Sequence, residues 1–88
     1  MNKKDIADLA ELVSNLNKAI ADIDNGRFEV YATPQKRGPY ATFVMEDKAW
    51  HETEAFEVRW YTLKRNDGLT CYNPEILGRV NRFIVERR

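Results

Sequence analysis

The stretch FEVYATPQKRGPYATFVM, Phe28 to Met45, decides how this chain folds. Phe28-Glu29-Val30-Tyr31-Ala32-Thr33 alternates apolar and polar residues, as a half-buried strand does. Pro34 to Pro39 then carries turn chemistry at both ends, because proline presets φ and Gly38 allows it to be positive. Tyr40 to Met45 is rich in aromatic and β-branched residues and reads as a second strand. The segment therefore predicts an antiparallel hairpin with a long, proline-stiffened loop. Lys36 and Arg37 sit at its tip, and Tyr31 and Tyr40 flank it.

Upstream, the period changes from two to that of a helix. Ile6, Leu9, Val13, Leu16, Ile20 and Ile23 recur at alternating spacings of three and four. That is a heptad seam, widened by Ala10, Leu12 and Ala19, and it predicts a helix over 5–24. Asp5 is the expected N-cap, with Asp8 near the positive end of the helix dipole, and Asn25-Gly26 is the stop. The helix is too short for a coiled coil to stand alone, so it is expected to cover the sheet. A homodimer zipped through the same seam is the alternative use.

Downstream, Glu46-Asp47-Lys48 resembles a turn. A third strand follows over about Ala55 to Lys64, with Phe56, Val58 and Trp60 alternating with Glu57, Arg59 and Tyr61. Asn66-Asp67-Gly68 is a turn signal, and Leu69 to Tyr72 would pair back as a short fourth strand. Asn73-Pro74-Glu75 has the residues of a helix start. Ile76, Leu77, Val80, Phe83 and Ile84 then mark one face of a C-terminal helix, with RFIVERR as a strand the competing reading. Gly78 costs about 1 kcal/mol in a helix relative to alanine, which suggests close packing there. The expected architecture is α+β over residues 1–88 as one domain: an N-terminal helix, a three- to four-stranded antiparallel meander and a C-terminal helix, with the helices packed on one sheet face.

Composition bounds the function. The chain has 88 residues, 43% of them hydrophobic, which supports one small core rather than disorder. Fourteen basic and fourteen acidic residues cancel, unlike the positive excess of a generic nucleic-acid binder. Segments 1–27, 28–58 and 59–88 carry net −1, −3 and +4, an acidic middle and a basic end. The single cysteine, Cys71, cannot form an internal disulfide. It reads as a small core residue in a reducing, cytoplasmic setting. The two lysines near the N-terminus are followed by acidic residues rather than an apolar run, so neither a signal peptide nor a membrane span is expected.

Catalytic equipment is sparse. One histidine (His51), one cysteine and one serine (Ser14, inside the first helix) form no nucleophile motif, and no phosphate or dinucleotide loop occurs. His51-Glu52-Thr53-Glu54 with Asp47 is a weak metal pattern that reads better as a solvated acidic loop. Glu29 and Glu57 form a carboxylate pair only if neighbouring strands align them. No enzyme activity, cofactor or metal is expected.

Strand alternation instead places Glu29, Tyr31, Thr33, Glu57, Arg59 and Tyr61 on an outward face, joined by Tyr40, Thr42 and Val44 if Ala41, Phe43 and Met45 point inward. Tyrosine and arginine are enriched at protein-binding hot spots. The expected function is a non-enzymatic protein-interaction module, of the kind seen in small phage-type inhibitors. It would bind a larger protein through Tyr31, Lys36, Arg37, Tyr40, Arg59 and Tyr61. The alternative is nucleic-acid binding, with the basic loop extended by Lys64, Arg65, Arg79 and Arg82, although no RNA-recognition aromatic motif is present.

Overall fold

The computed structural model describes residues 2–35, 38–60 and 74–88. Helix α1 spans Lys3–Ile20, a 3-10 turn follows at Ile23–Asn25, and strands β1 (Phe28–Pro34), β2 (Tyr40–Asp47) and β3 (Glu52–Arg59) lead to helix α2 (Pro74–Arg87). The strands form an antiparallel meander in the order β1-β2-β3. The chain is thus an α+β fold with helices at both ends. The expected fourth strand, the Asn73 cap and Cys71 lie outside the described residues.

Several boundaries differ from expectation, each for a local reason. Helix α1 starts a little earlier because Asn2, not Asp5, is its cap: the Asn2 side-chain oxygen accepts the Asp5 backbone N–H at 2.8 Å. Asp5 itself is buried. The helix also stops earlier, at Ile20 rather than Asp24. Asp24, Asn25 and Gly26 take positive φ of 45°, 57° and 82°, which reverses the chain within a tight turn. The Asn25-Gly26 signal therefore ends this turn rather than the helix. Glu46 and Asp47 continue β2, and the turn falls at residues 48–51. Strand β3 begins at Glu52 and ends at Arg59, because Trp60 already belongs to a helical turn. The last element is helix, not strand.

One cluster of buried side chains holds these elements together. It takes Leu9, Leu12, Leu16 and Ile20 from α1 and Ile76, Val80, Phe83 and Ile84 from α2. The strands supply Phe28, Val30, Ala41, Phe43, Met45, Phe56 and Val58, and Trp60 follows directly. The alternation read for all three strands therefore holds, including the inward set on β2. Register places Phe43 opposite Phe56, and their rings stack at 5.4 Å. Phe28 meets Phe83 edge-on at 6.1 Å. On α1 the buried stripe is rotated from the heptad seam: Leu12 is fully buried, while Ile6 is 46% exposed.

Helix α1 also closes part of the sheet edge. Asn17 donates to the Val30 carbonyl at 2.9 Å and accepts the Val30 N–H at 2.8 Å, so its amide replaces a neighbouring strand for one residue. Gly78 behaves differently from expectation. A β-carbon there would meet nothing within 4 Å among the described residues, so none of them requires the glycine by close packing. Gly78→Ala is expected to raise stability by about 1 kcal/mol, the helix-propensity difference alone. Asn17→Ala should lower it by about 1–3 kcal/mol, since it leaves both Val30 groups without their partner. Urea denaturation of the two variants beside wild type checks both signs.

Candidate functional site

The outward face of the sheet is a grid set by register. Glu29, Glu46 and Thr53 form its first row, then Tyr31, Val44 and Ala55, then Thr33, Thr42 and Glu57; Tyr40 and Arg59 pair at the far end. All of these residues are exposed or half-buried. The centre, Thr42, Val44 and Ala55, carries small side chains, and the larger groups stand at the two ends.

At one end, Glu29 and Glu46 face each other across β1 and β2, an unfavourable pairing of like charges. Tyr31 resolves it. Its hydroxyl contacts Glu29 Oε2 at 2.5 Å and Glu46 Oε1 at 3.1 Å. Lys48 adds an ion pair to Glu29 at 3.2 Å. The Tyr31 bond, then Lys48, hold the Glu29 carboxyl below its ordinary range, and the Glu29 bond holds the Tyr31 phenol well above its own. The Tyr31 hydroxyl thus reaches along the sheet to the neighbouring row.

At the other end, the Arg59 guanidinium lies 5.9 Å from the Tyr40 ring centroid, and Gln35 donates to Glu57 at 3.3 Å. The face thus carries an acidic tyrosine cluster at one end and a tyrosine–arginine pair at the other. Of the six residues expected to bind a partner, Tyr31, Tyr40 and Arg59 share this face. Lys36, Arg37 and Tyr61 lie outside the described residues, as do Lys64 and Arg65. Arg79 and Arg82 are exposed on α2, with Arg79 over the ring of inward-facing Phe56 at 4.9 Å. Glu29 and Glu57 stand two rows apart, on outer strands separated by β2.

The residues that fix the acidic end were missed in the sequence. Arg27 forms a fork on buried Asp47, Nε to Oδ1 at 2.8 Å and Nη2 to Oδ2 at 2.9 Å. Nη2 also donates to the Arg87 carbonyl at 3.0 Å, and Nη1 to Asp24 at 3.3 Å. Asp47 Oδ1 in turn accepts the Ala49 N–H at 3.0 Å and shapes the turn that carries Trp50, 68% exposed, and His51 with φ of 55°. The available signal was register: the hairpin centred on residues 37–38 brings the positions just before Phe28 and just after Met45 together.

Among the described residues no group of three or more His, Cys, Asp or Glu side chains is placed to hold a metal ion. No helix among them is long and apolar enough to cross a membrane. Comparison with protein-family models, curated proteins and solved structures finds no match.

The Arg27 bonds hold the Asp47 carboxyl below its ordinary value of 3.8, against the opposing effect of burial. A carboxylate with a depressed folded value stabilises the fold above its unfolded value, and that stability is lost as pH falls through the folded one. Stability should therefore drop as pH is lowered from about 4 toward 2, the acid side of the usual carboxylate range. Asp47→Asn should be less stable than wild type at neutral pH yet show a shallower slope over that window. Urea midpoints measured at successive pH values would reveal it.

Proposed function

We propose that this chain is a non-enzymatic protein-interaction module, an adaptor or inhibitor that binds a larger protein through the outward face of its sheet. In this reading both helices cover the opposite, buried face, and Lys36 and Arg37 add to the binding surface. The observation that carries it is the division of the sheet. Phe28, Val30, Ala41, Phe43, Met45, Phe56 and Val58 point inward into the common core, while the outward face keeps Tyr31, Tyr40 and Arg59 exposed around small central side chains. Flat aromatic groups with a polar tip, fixed by neighbours before any partner arrives, lose little freedom on binding. The charged rim would steer encounter and select against wrong partners.

The nucleic-acid alternative receives less support from the geometry. Arg79 is stacked on Phe56. Arg87 lies 3.3 Å from Glu52 and 4.0 Å from Glu54, and Arg88 lies 3.3 Å from Asp24. Most of the described C-terminal cations thus already have partners. The homodimer alternative is similarly weakened, because Leu9, Leu16 and Ile20 of its seam are consumed in the chain's own core.

Affinity capture from a host lysate, quantified for wild type and for a Tyr40→Ala/Arg59→Ala double variant, tests the proposal. Hot-spot truncations each cost about 2 kcal/mol or more, so the captured partner should fall more than tenfold while the circular dichroism spectrum is unchanged. Equal capture by both proteins would reject the sheet face. Salt-sensitive binding of labelled oligonucleotides, abolished by Lys36→Ala/Arg37→Ala, would favour the alternative.

A further inference from the structure

The free edge of β1 is sealed at two points and open between them. The Lys48 N–H bonds the Arg27 carbonyl and the Gln35 N–H bonds the Tyr40 carbonyl, so odd-numbered residues of β1 turn their backbone groups toward β2. Even-numbered residues turn theirs away. Val30 is taken by Asn17, and Pro34 has no N–H to offer. Ala32, between them, presents both an N–H and a carbonyl, with no partner among the described residues. Beside it, α1 and β1 leave a groove of about 310 Å³, walled by Ile6, Leu9, Ala10, Val13, Tyr31 and Pro34. Ile6 and Tyr31, which stand at this groove, are 46% and 45% exposed.

We infer that this groove receives a short extended segment of a partner protein, one that pairs with Ala32, seats a single aliphatic side chain between α1 and β1, and carries acidic residues on its flank. Each element of the occupant follows from geometry. Residues directly opposite in paired strands put their side chains on the same face. Ala32 belongs to the inward set and packs against the core, so the residue opposite it points into the apolar groove. The volume is at the small end of the ligand-pocket range of about 300–1,000 Å³, which suits one or two side chains rather than a cofactor. Asn17 and Pro34 limit pairing to the groups of Ala32 and the Pro34 carbonyl, so the occupant is short. This is strand addition in a shortened form, with a side-chain pocket supplying the specificity.

Charge supplies the acidic flank. Exposed Lys3 stands in the first turn of α1, one turn from Ile6, at the positive end of the helix dipole, beside Lys4, which pairs with Asp8 at 3.1 Å. A basic segment would meet like charge at that end. The groove shares Tyr31 with the sheet face, but Tyr40 and Arg59 are not among its lining residues, so either assignment can fail without the other.

The test is selection of a phage-displayed random octapeptide library on the full chain, with Ala10→Arg as the counter-target. Residue 10 is exposed on a helix, so arginine there fills the groove without disturbing the core; circular dichroism confirms the fold. Enriched peptides should show an aliphatic residue within an alternating pattern and Asp or Glu beside it. A synthetic enriched peptide should shift the Ala32 amide resonance and slow its hydrogen exchange. It should bind Ala10→Arg at least tenfold more weakly, and Tyr40→Ala/Arg59→Ala as well as wild type. No enrichment over Ala10→Arg, a basic consensus, or binding that leaves the Ala32 amide unchanged would each overturn the inference. So would a concentration-dependent dimer that produces the same Ala32 shift without peptide, since the occupant would then be a second copy.

Discussion

The fork between Arg27 and Asp47 is the constraint on which the rest of the structure hangs. Asp47 is fully buried, and a buried carboxylate is tolerated only when a cation and further donors satisfy it. Arg27 does this with Nε and Nη2, while Nη2 also reaches the Arg87 carbonyl and Nη1 reaches Asp24. One guanidinium therefore joins the turn after α1, the start of β1, the end of β2 and the last turn of α2. It also lies 5.0 Å over the Phe28 ring, so the polar hub and the apolar core share a wall. A lysine has the charge but not the fork, and could not make these contacts at once.

From this hub the sheet acquires two kinds of surface. Its inward side is filled, and its edge at β1 is managed piecemeal by one amide side chain and one proline. Its outward side is left to charges that must be reconciled locally, as Tyr31 does between Glu29 and Glu46. The hydrogen bonds of that outward side are made between the chain's own side chains.

Much of this was legible in residue order. The change of period after Gly26 located the first strand, and alternation assigned the faces of Phe28, Val30, Phe56 and Val58 because a strand offers only two. The helix ends were less legible. Asn2 and Asp5 are both competent caps, and only the position of the first turn decides between them. The seam through Ile6 looked complete because helical spacing says which residues share a stripe but not how far a neighbour extends to cover it. Gly78 looked like a packing site, yet a glycine in open space is indistinguishable in sequence from one under a close neighbour. On the candidate surface, Tyr31, Tyr40 and Arg59 could be assigned to one face by parity alone. The coupling of Tyr31 to two carboxylates, the Arg27 hub and the groove beside Ala32 depend on cross-strand register and on the angle of α1. Neither is written in any single segment.

The two tryptophans occupy opposite environments: Trp60 has 0% of its surface exposed, and Trp50 stands 68% exposed on the turn shaped by Asp47. The molecule therefore carries two intrinsic optical probes that report different events. Emission from Trp60 belongs to the dry interior and follows the integrity of the core. Emission from Trp50 belongs to the wet tip beside the Arg27 hub, where a dissolved quencher reaches it freely. Their separation in colour and accessibility allows loosening of that tip to be distinguished from collapse of the whole fold in a single fluorescence record, without attaching a dye.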